Sequence, residues 1–189
     1  MRTKKFLSVA AFIVCGLVCV NSVNAQTLAT ATDPVTVNIK LNPIQAIEVN
    51  AIQKTVDLVY NSIQNYEQGV TSGVLPDHLT VYSAGKFVVS VKTDGNFING
   101  GSSINAVDVT VKATRSAAHS VGELTDVNLS ASDQPLITSA SKGGNGLKYN
   151  IEYDNLAGKN FKYAGDEYYT EASGVLTYTA QVTYTIAPN

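Results

Sequence analysis

From Leu176 to Ile186 an apolar or aromatic residue occupies every second position, and only Thr and Gln stand between them. A period of two marks a β-strand with one face buried and the other wet; a helix would need apolar residues three and four apart. The same alternation runs through Val35, Val37, Ile39 and Leu41, through Val107 to Ala113, and through Leu147 to Tyr153. It is weaker at Val56-Leu58-Tyr60, Leu79–Tyr82, Lys86–Lys92, Val127-Leu129 and Leu136-Ile137. Phe87, Val89 and Val91 share one face while Val88 lies opposite, which predicts a central strand. Ser83–Gly85, Thr93–Asn96 and Gly143–Gly146 read as turns, and Asn99–Ser103 as a flexible connector. Only Ile63, Tyr66 and Val70 carry helical spacing, which predicts a short helix or turn there. No long amphipathic helix separates the strands, so a βαβ topology is excluded. The expected fold is all-β, an antiparallel two-sheet sandwich.

Residues 1–25 read as a secretory signal peptide. Arg2, Lys4 and Lys5 form its charged start, Phe6 to Val20 its apolar run, and Val23-Asn24-Ala25 a cleavage site of small residues. The apolar run is shorter than the roughly 20 residues that span a bilayer, and no later stretch is apolar enough to do so. Val14 and Val18 precede Cys15 and Cys19, where a lipoprotein signal needs a small residue. The expected organisation is a signal peptide (1–25), a loose N-terminal segment (26–34) and a single β-domain (35–189). The expected location is secreted, periplasmic or cell-surface, with a bacterial source. Both cysteines lie in the signal, so the exported chain folds without a disulfide. Cleavage removes three of the 13 basic residues and none of the 15 acidic ones, leaving a net charge of −5. That balance argues against nucleic acid and anionic membranes as partners.

The chain offers little catalytic chemistry. His78 and His119 are its two histidines, neither sits in a recognisable frame, and no Gly-x-Ser-x-Gly turn is present. No catalytic residue and no cofactor are therefore expected. Two isolated histidines do not make a zinc site. Asp154, Asp166, Glu167 and Glu171 lie in or beside one polar connection, a composition that binds calcium in some loops and is merely solvated in most. Gly143–Lys148 lacks the Gly-Lys-Ser/Thr ending of a phosphate loop and precedes a strand. Tyr163, Tyr168 and Tyr169 in the same connection either form an exposed aromatic platform for a sugar or fold back into the core.

The closing segment Gly174-Val-Leu-Thr-Tyr-Thr-Ala-Gln-Val-Thr-Tyr-Thr-Ile186 resembles the final strand of secreted pilin-like and spore-coat-U-like bacterial domains, and His78 to Lys92 resembles their middle strands. The resemblance implies an immunoglobulin-like or pilin-like sandwich at the cell surface, often assembled through strand exchange. The chain departs from it in lacking the disulfide usual in fimbrial pilins and in ending Ile186-Ala-Pro-Asn189. A donor strand must present alternate apolar side chains to an open sheet edge, and Val35, Val37, Ile39 and Leu41 meet that requirement. The simpler reading makes the same residues the first strand of their own domain. The expected function is that of a non-enzymatic structural or adhesive component of the bacterial envelope, possible partners being its own copies or other envelope proteins. The alternative is a secreted module that binds carbohydrate or another ligand through Tyr163 to Tyr169.

Overall fold

The computed structural model describes residues 32–116, 120–168 and 174–189. The signal-peptide assignment, His119, Tyr169 and Glu171 lie outside the described residues. The chain divides between Lys40 and Leu41 into two units. In the first, residues 32–40 are exposed and form no regular secondary structure.

The described residues of the second unit form antiparallel β-sheets with one short α-helix. Its strands are β1 (Gln45–Val49), β2 (Val70–Thr71), β3 (Leu75–Ser83), β4 (Phe87–Thr93), β5 (Phe97–Asn99) and β6 (Ser102–Ile104). They continue with β7 (Thr110–Arg115), β8 (Glu123–Leu124), β9 (Val127–Asn128), β10 (Gln134–Ser139), β11 (Gly144–Asn155) and β12 (Val182–Pro188). One sheet runs β1-β3-β11-β7-β9, with β2 also paired to β11; a second runs β12-β4-β10-β8; β5 and β6 form a hairpin. Helix α1 (Ile63–Gln68) starts where the Ser62 hydroxyl accepts from Asn65 N–H and stops at Gly69, whose φ of 82° few other residues adopt.

Alternation explains which side chains meet. Leu79 and Val81 of β3, Phe87, Val89 and Val91 of β4, Val111 of β7, and Tyr149 and Ile151 of β11 are all buried in one cluster that draws on both larger sheets. Leu136 and Ile137 are consecutive and both fully buried, because the β10–β4 register shifts between Pro135 and Ile137. The expected central position of Phe87–Val91 is observed, with β12 on one side and β10 on the other.

Several expectations change. Val35 to Leu41 form no strand, and Val35, Val37, Ile39 and Leu41 stay between 82% and 89% exposed. Alternation supplies a strand-competent segment, but a strand exists only where an edge pairs with it. Of the long closing alternation only Val182 onward is a strand; before it, Thr179 makes an isolated bridge to Ile98. Val107 is in a 3₁₀ turn and mostly exposed. Asn99–Ser103 is a tight hairpin corner. Gly143–Gly146 is less a turn than the bulged start of β11, since Gly144 already pairs with Ser83 and the register jumps before Leu147.

This division of buried and exposed apolar residues has a measurable consequence. Ile137→Ala should cost about 2–5 kcal/mol in urea unfolding. Val37→Asp, at an exposed position, should stay within about 0.5 kcal/mol when measured at a dilution that keeps the protein monomeric.

Candidate functional site

Strands β1 and β12 end the two larger sheets. Each has one ladder partner, β3 and β4 respectively, and the two edges lie beside each other without pairing. Among the described residues no strand pairs with the opposite edge of either, and backbone N–H and C=O groups outside a ladder are a template for an added strand. The inward side chains there, Ile47 and Val49 from β1 and Val182, Tyr184 and Ile186 from β12, pack on the core yet remain only partly buried.

The open strip continues past both strands. Val56, Leu58 and Tyr60 alternate inward after β1, and Leu176 and Tyr178 precede β12, none of them in a ladder. A cavity of about 690 Å³ lies among these residues, with Phe97, Val109, Tyr66, Tyr163 and Tyr168 also on its lining.

A tyrosine network supports this cavity. The Tyr60 hydroxyl donates to Asn155, whose side-chain and main-chain oxygens lie 2.7 and 3.0 Å away. The Tyr163 hydroxyl is 3.1 Å from Asp108 Oδ2, which also accepts from Lys162 Nζ at 2.7 Å. Tyr60 stands edge-on to Tyr163 at 5.7 Å between ring centroids, and Tyr163 edge-on to Tyr168 at 5.3 Å. These are favourable aromatic geometries. Gly158 is part of this arrangement: a Cβ there would meet the Tyr60 hydroxyl, the Asn155 side chain and the Tyr163 ring.

Of the two readings of the tyrosine-rich connection, Tyr163 follows the one that folds back into the core, while Tyr169 lies outside the described residues. Tyr163 is 5% exposed, with its hydroxyl bonded inside, and Tyr168 is half-buried. The candidate calcium ligands Asp154, Asp166 and Glu167 are not grouped. Asp154 is buried, giving one oxygen to Lys112 Nζ and the other to Leu156 N–H, while Asp166 and Glu167 are exposed. Among the described residues no group of three or more His, Cys, Asp or Glu is placed to hold a metal.

His78 occupies a second polar position in the core. On β3, Leu79 pairs with Tyr149 but Leu75 pairs with Ile151, so extra residues are accommodated on β3 between the two pairs. Asp77 takes a φ of 50° in this bulge. The bulge turns both His78 and Leu79 inward, where strict alternation would separate them. Asn150 Oδ1 accepts from Asp77 N–H, while the Asp77 carboxylate accepts from Ser116 and Lys148 at 2.7 Å each. Lys148 first and Ser116 second hold that carboxyl below its ordinary pKa. His78 Nδ1 lies 3.0 Å from Gln53 Oε1, and because Gln53 Nε2 donates to Pro76 O, Oε1 is the end left to accept. The His78 ring is edge-on to Tyr153 at 6.1 Å and to Tyr184 at 6.0 Å, and the two tyrosine hydroxyls lie 2.7 Å apart. The described partner of the histidine is thus an amide, not a hydroxyl nucleophile.

No protein-family model matches this chain, and no curated protein is detectably similar to it. Among the described residues no helix is long and apolar enough to cross a membrane.

Two outcomes follow from the buried tyrosines. Burial raises the pKa of Tyr60, Tyr149, Tyr153, Tyr163 and Tyr184 above the ordinary value. In an unfolded chain they ionise near pH 10, so the stability linked to them is present below about pH 10 and is lost as pH rises through the folded-state values. Urea midpoints should fall above about pH 10, with tyrosinate absorbance appearing together with unfolding. Gly158→Ala should destabilise the protein by about 1–3 kcal/mol in the same assay, since the Tyr60–Asn155–Tyr163 arrangement leaves no room for a methyl group.

Proposed function

We propose that this protein is an exported, non-enzymatic structural subunit of the bacterial envelope or surface, and that its copies assemble by strand donation. In this reading the two larger sheets stack as an immunoglobulin-like, pilin-like sandwich short of its last strand. The strand order supports it. In an immunoglobulin-type domain one sheet runs A-B-E-D, and the other carries C, F and G. Here β1-β3-β11-β7 reproduces the first order, and β12 beside β4 reproduces F beside C. No described strand occupies the place of G, on the free side of β12.

The observation that carries the proposal is a pair of complementary defects. One is the partly covered apolar strip along β1 and β12. The other is the exposed alternating segment Val35–Leu41. Seven residues extend about 23 Å, matching the seven residues of β12. Burying four side chains of this size is worth roughly 6–12 kcal/mol before the cost of ordering the segment. Donation from one copy to the next is a head-to-tail contact, which gives a linear array wherever the rotation between copies does not close a ring. The competing reading, a carbohydrate- or ligand-binding module, draws on the aromatic lining of the cavity.

Light scattering separates the two. The exported chain should form concentration-dependent oligomers, and Val37→Asp with Ile39→Asp should leave a folded monomer. Leu41–Asn189 alone should also be monomeric and should capture a peptide of Pro34–Pro43. A full-length protein that stays monomeric at all concentrations and ignores the peptide would remove the assembly reading. Sugar binding lost in Tyr168→Ala at unchanged stability would favour the module.

A further inference from the structure

The donor-accepting edge holds a feature that strand donation by itself does not need, a histidine carried into the core by a strained bulge. His78 is 2% exposed and belongs to β3. The rings against it come from two other strands, Tyr153 from β11 and Tyr184 from β12. Tyr184 is one of the inward residues of the open edge, and its hydroxyl bonds that of Tyr153 across to the other large sheet. His78 therefore lies under the contact that ties the edge strand to the opposite sheet.

We infer that His78 makes the β12 edge acid-sensitive, and that charging its ring loosens the Tyr184 contact and weakens the hold of the edge on a donated strand. Among the described residues the groups against the ring include no anion to receive a cation. Gln53 from the 3₁₀ turn after β1 is neutral, the backbone of Asn50 bonds the His78 carbonyl, and the facing titratable groups are Tyr153 and Tyr184. Both tyrosines are held above their usual pKa by burial and stay neutral through the acidic range. Asp77, beside His78 in sequence, is already bonded to Lys148 and Ser116. Burial also lowers the His78 pKa. The unfolded value is about 6.5, so the stability linked to the neutral ring is present above about pH 6.5 and is lost as pH falls through the folded-state value. A buried neutral histidine is a recognised means of coupling protonation to packing.

The effect on strand donation rests on the assembly reading; the acid response of β12 does not. The test uses the exported chain carrying Val37→Asp with Ile39→Asp, at a dilution where light scattering reads a monomer. Amide exchange in Val182–Ile186, corrected for intrinsic rate, is compared at about pH 7.5 and about pH 5. Opening of β12 should rise roughly tenfold or more on acidification. The rise should vanish in His78→Phe and in His78→Gln and persist in His119→Gln, the only other histidine. An equal rise in either His78 variant, or none in the parent, overturns the inference. Should both His78 variants fail to fold, NMR titration of the His78 ring in the parent decides. A ring midpoint coincident with the loss of β12 protection supports the inference, and ring protonation with β12 still protected overturns it. Capture of the Pro34–Pro43 peptide is read alongside. Capture that weakens with acid supports the effect on donation, and equal capture at both pH values overturns that part. Absence of capture at both removes the assembly reading and leaves β12 exchange to judge the histidine.

Discussion

The pairing of β3 with β11 is the interaction on which the larger sheet depends. β3 carries β1 on its other side, and β11 carries β7 and β2. A one-residue slip between them would turn every inward side chain outward. The register is interrupted twice, near Gly144 and at Asp77, and each interruption does something specific. The first lets a glycine-rich stretch enter a strand directly. The second brings His78 and Leu79 to the same side. The left-handed backbone at Asp77 costs roughly 1–2 kcal/mol. Three groups offset it: Asn150 bonds its N–H, and Ser116 and Lys148 bond its carboxylate. A bulge anchored from three directions is a constrained feature of the sheet, and its consequence is a polar ring in an otherwise apolar layer.

The other limit on the structure is the supply of strands. β4 sits between two neighbours, and its apolar side chains Phe87, Val89 and Val91 are fully buried. β12 has the same alternation but one neighbour, and its inward residues stay partly wet. The difference lies in cover, not in side-chain chemistry. Toward residues 174–178 the chain drops out of the ladder, and tyrosines fill the space instead. Tyrosine suits that position because its ring packs while its hydroxyl reaches Asn155 or Asp108.

Alternation made the antiparallel strands legible wherever a partner existed: Leu147–Tyr153 and Thr110–Ala113 behave as their pattern says, and α1 falls where Ile63 and Tyr66 placed it. It failed where pairing is a property of something else. Val35–Leu41, Val56–Tyr60 and Leu176–Tyr178 alternate as well as any true strand and are not in ladders. Periodicity reports which face a segment would bury, and carries no information on whether an edge is free to receive it. The site was less legible. The tyrosine-rich connection stands out in the sequence, but Tyr60, Asn155 and Asp108 come from distant positions in the chain. The inward turn of His78 depends on one positive φ at Asp77, which no pattern of residue types announces.

The exposed segment would be a hazard if it were open to any partner, because alternating Val, Ile and Leu is strand-forming sequence. Two features limit it. Pro34 and Pro43 stand on either side of Val35–Leu41, and proline cannot extend a ladder by donating a hydrogen bond. Thr36, Asn38 and Lys40 make the opposite face polar, so a dry zipper of stacked identical strands would bury a lysine. What remains accessible to such a segment is an edge site that covers one face and leaves the other in water. The strip along β1 and β12 has that form, apolar toward the core and bounded by two free strand edges. On the proposed reading, the restrictions that keep the segment from aggregating also select the partner it accepts.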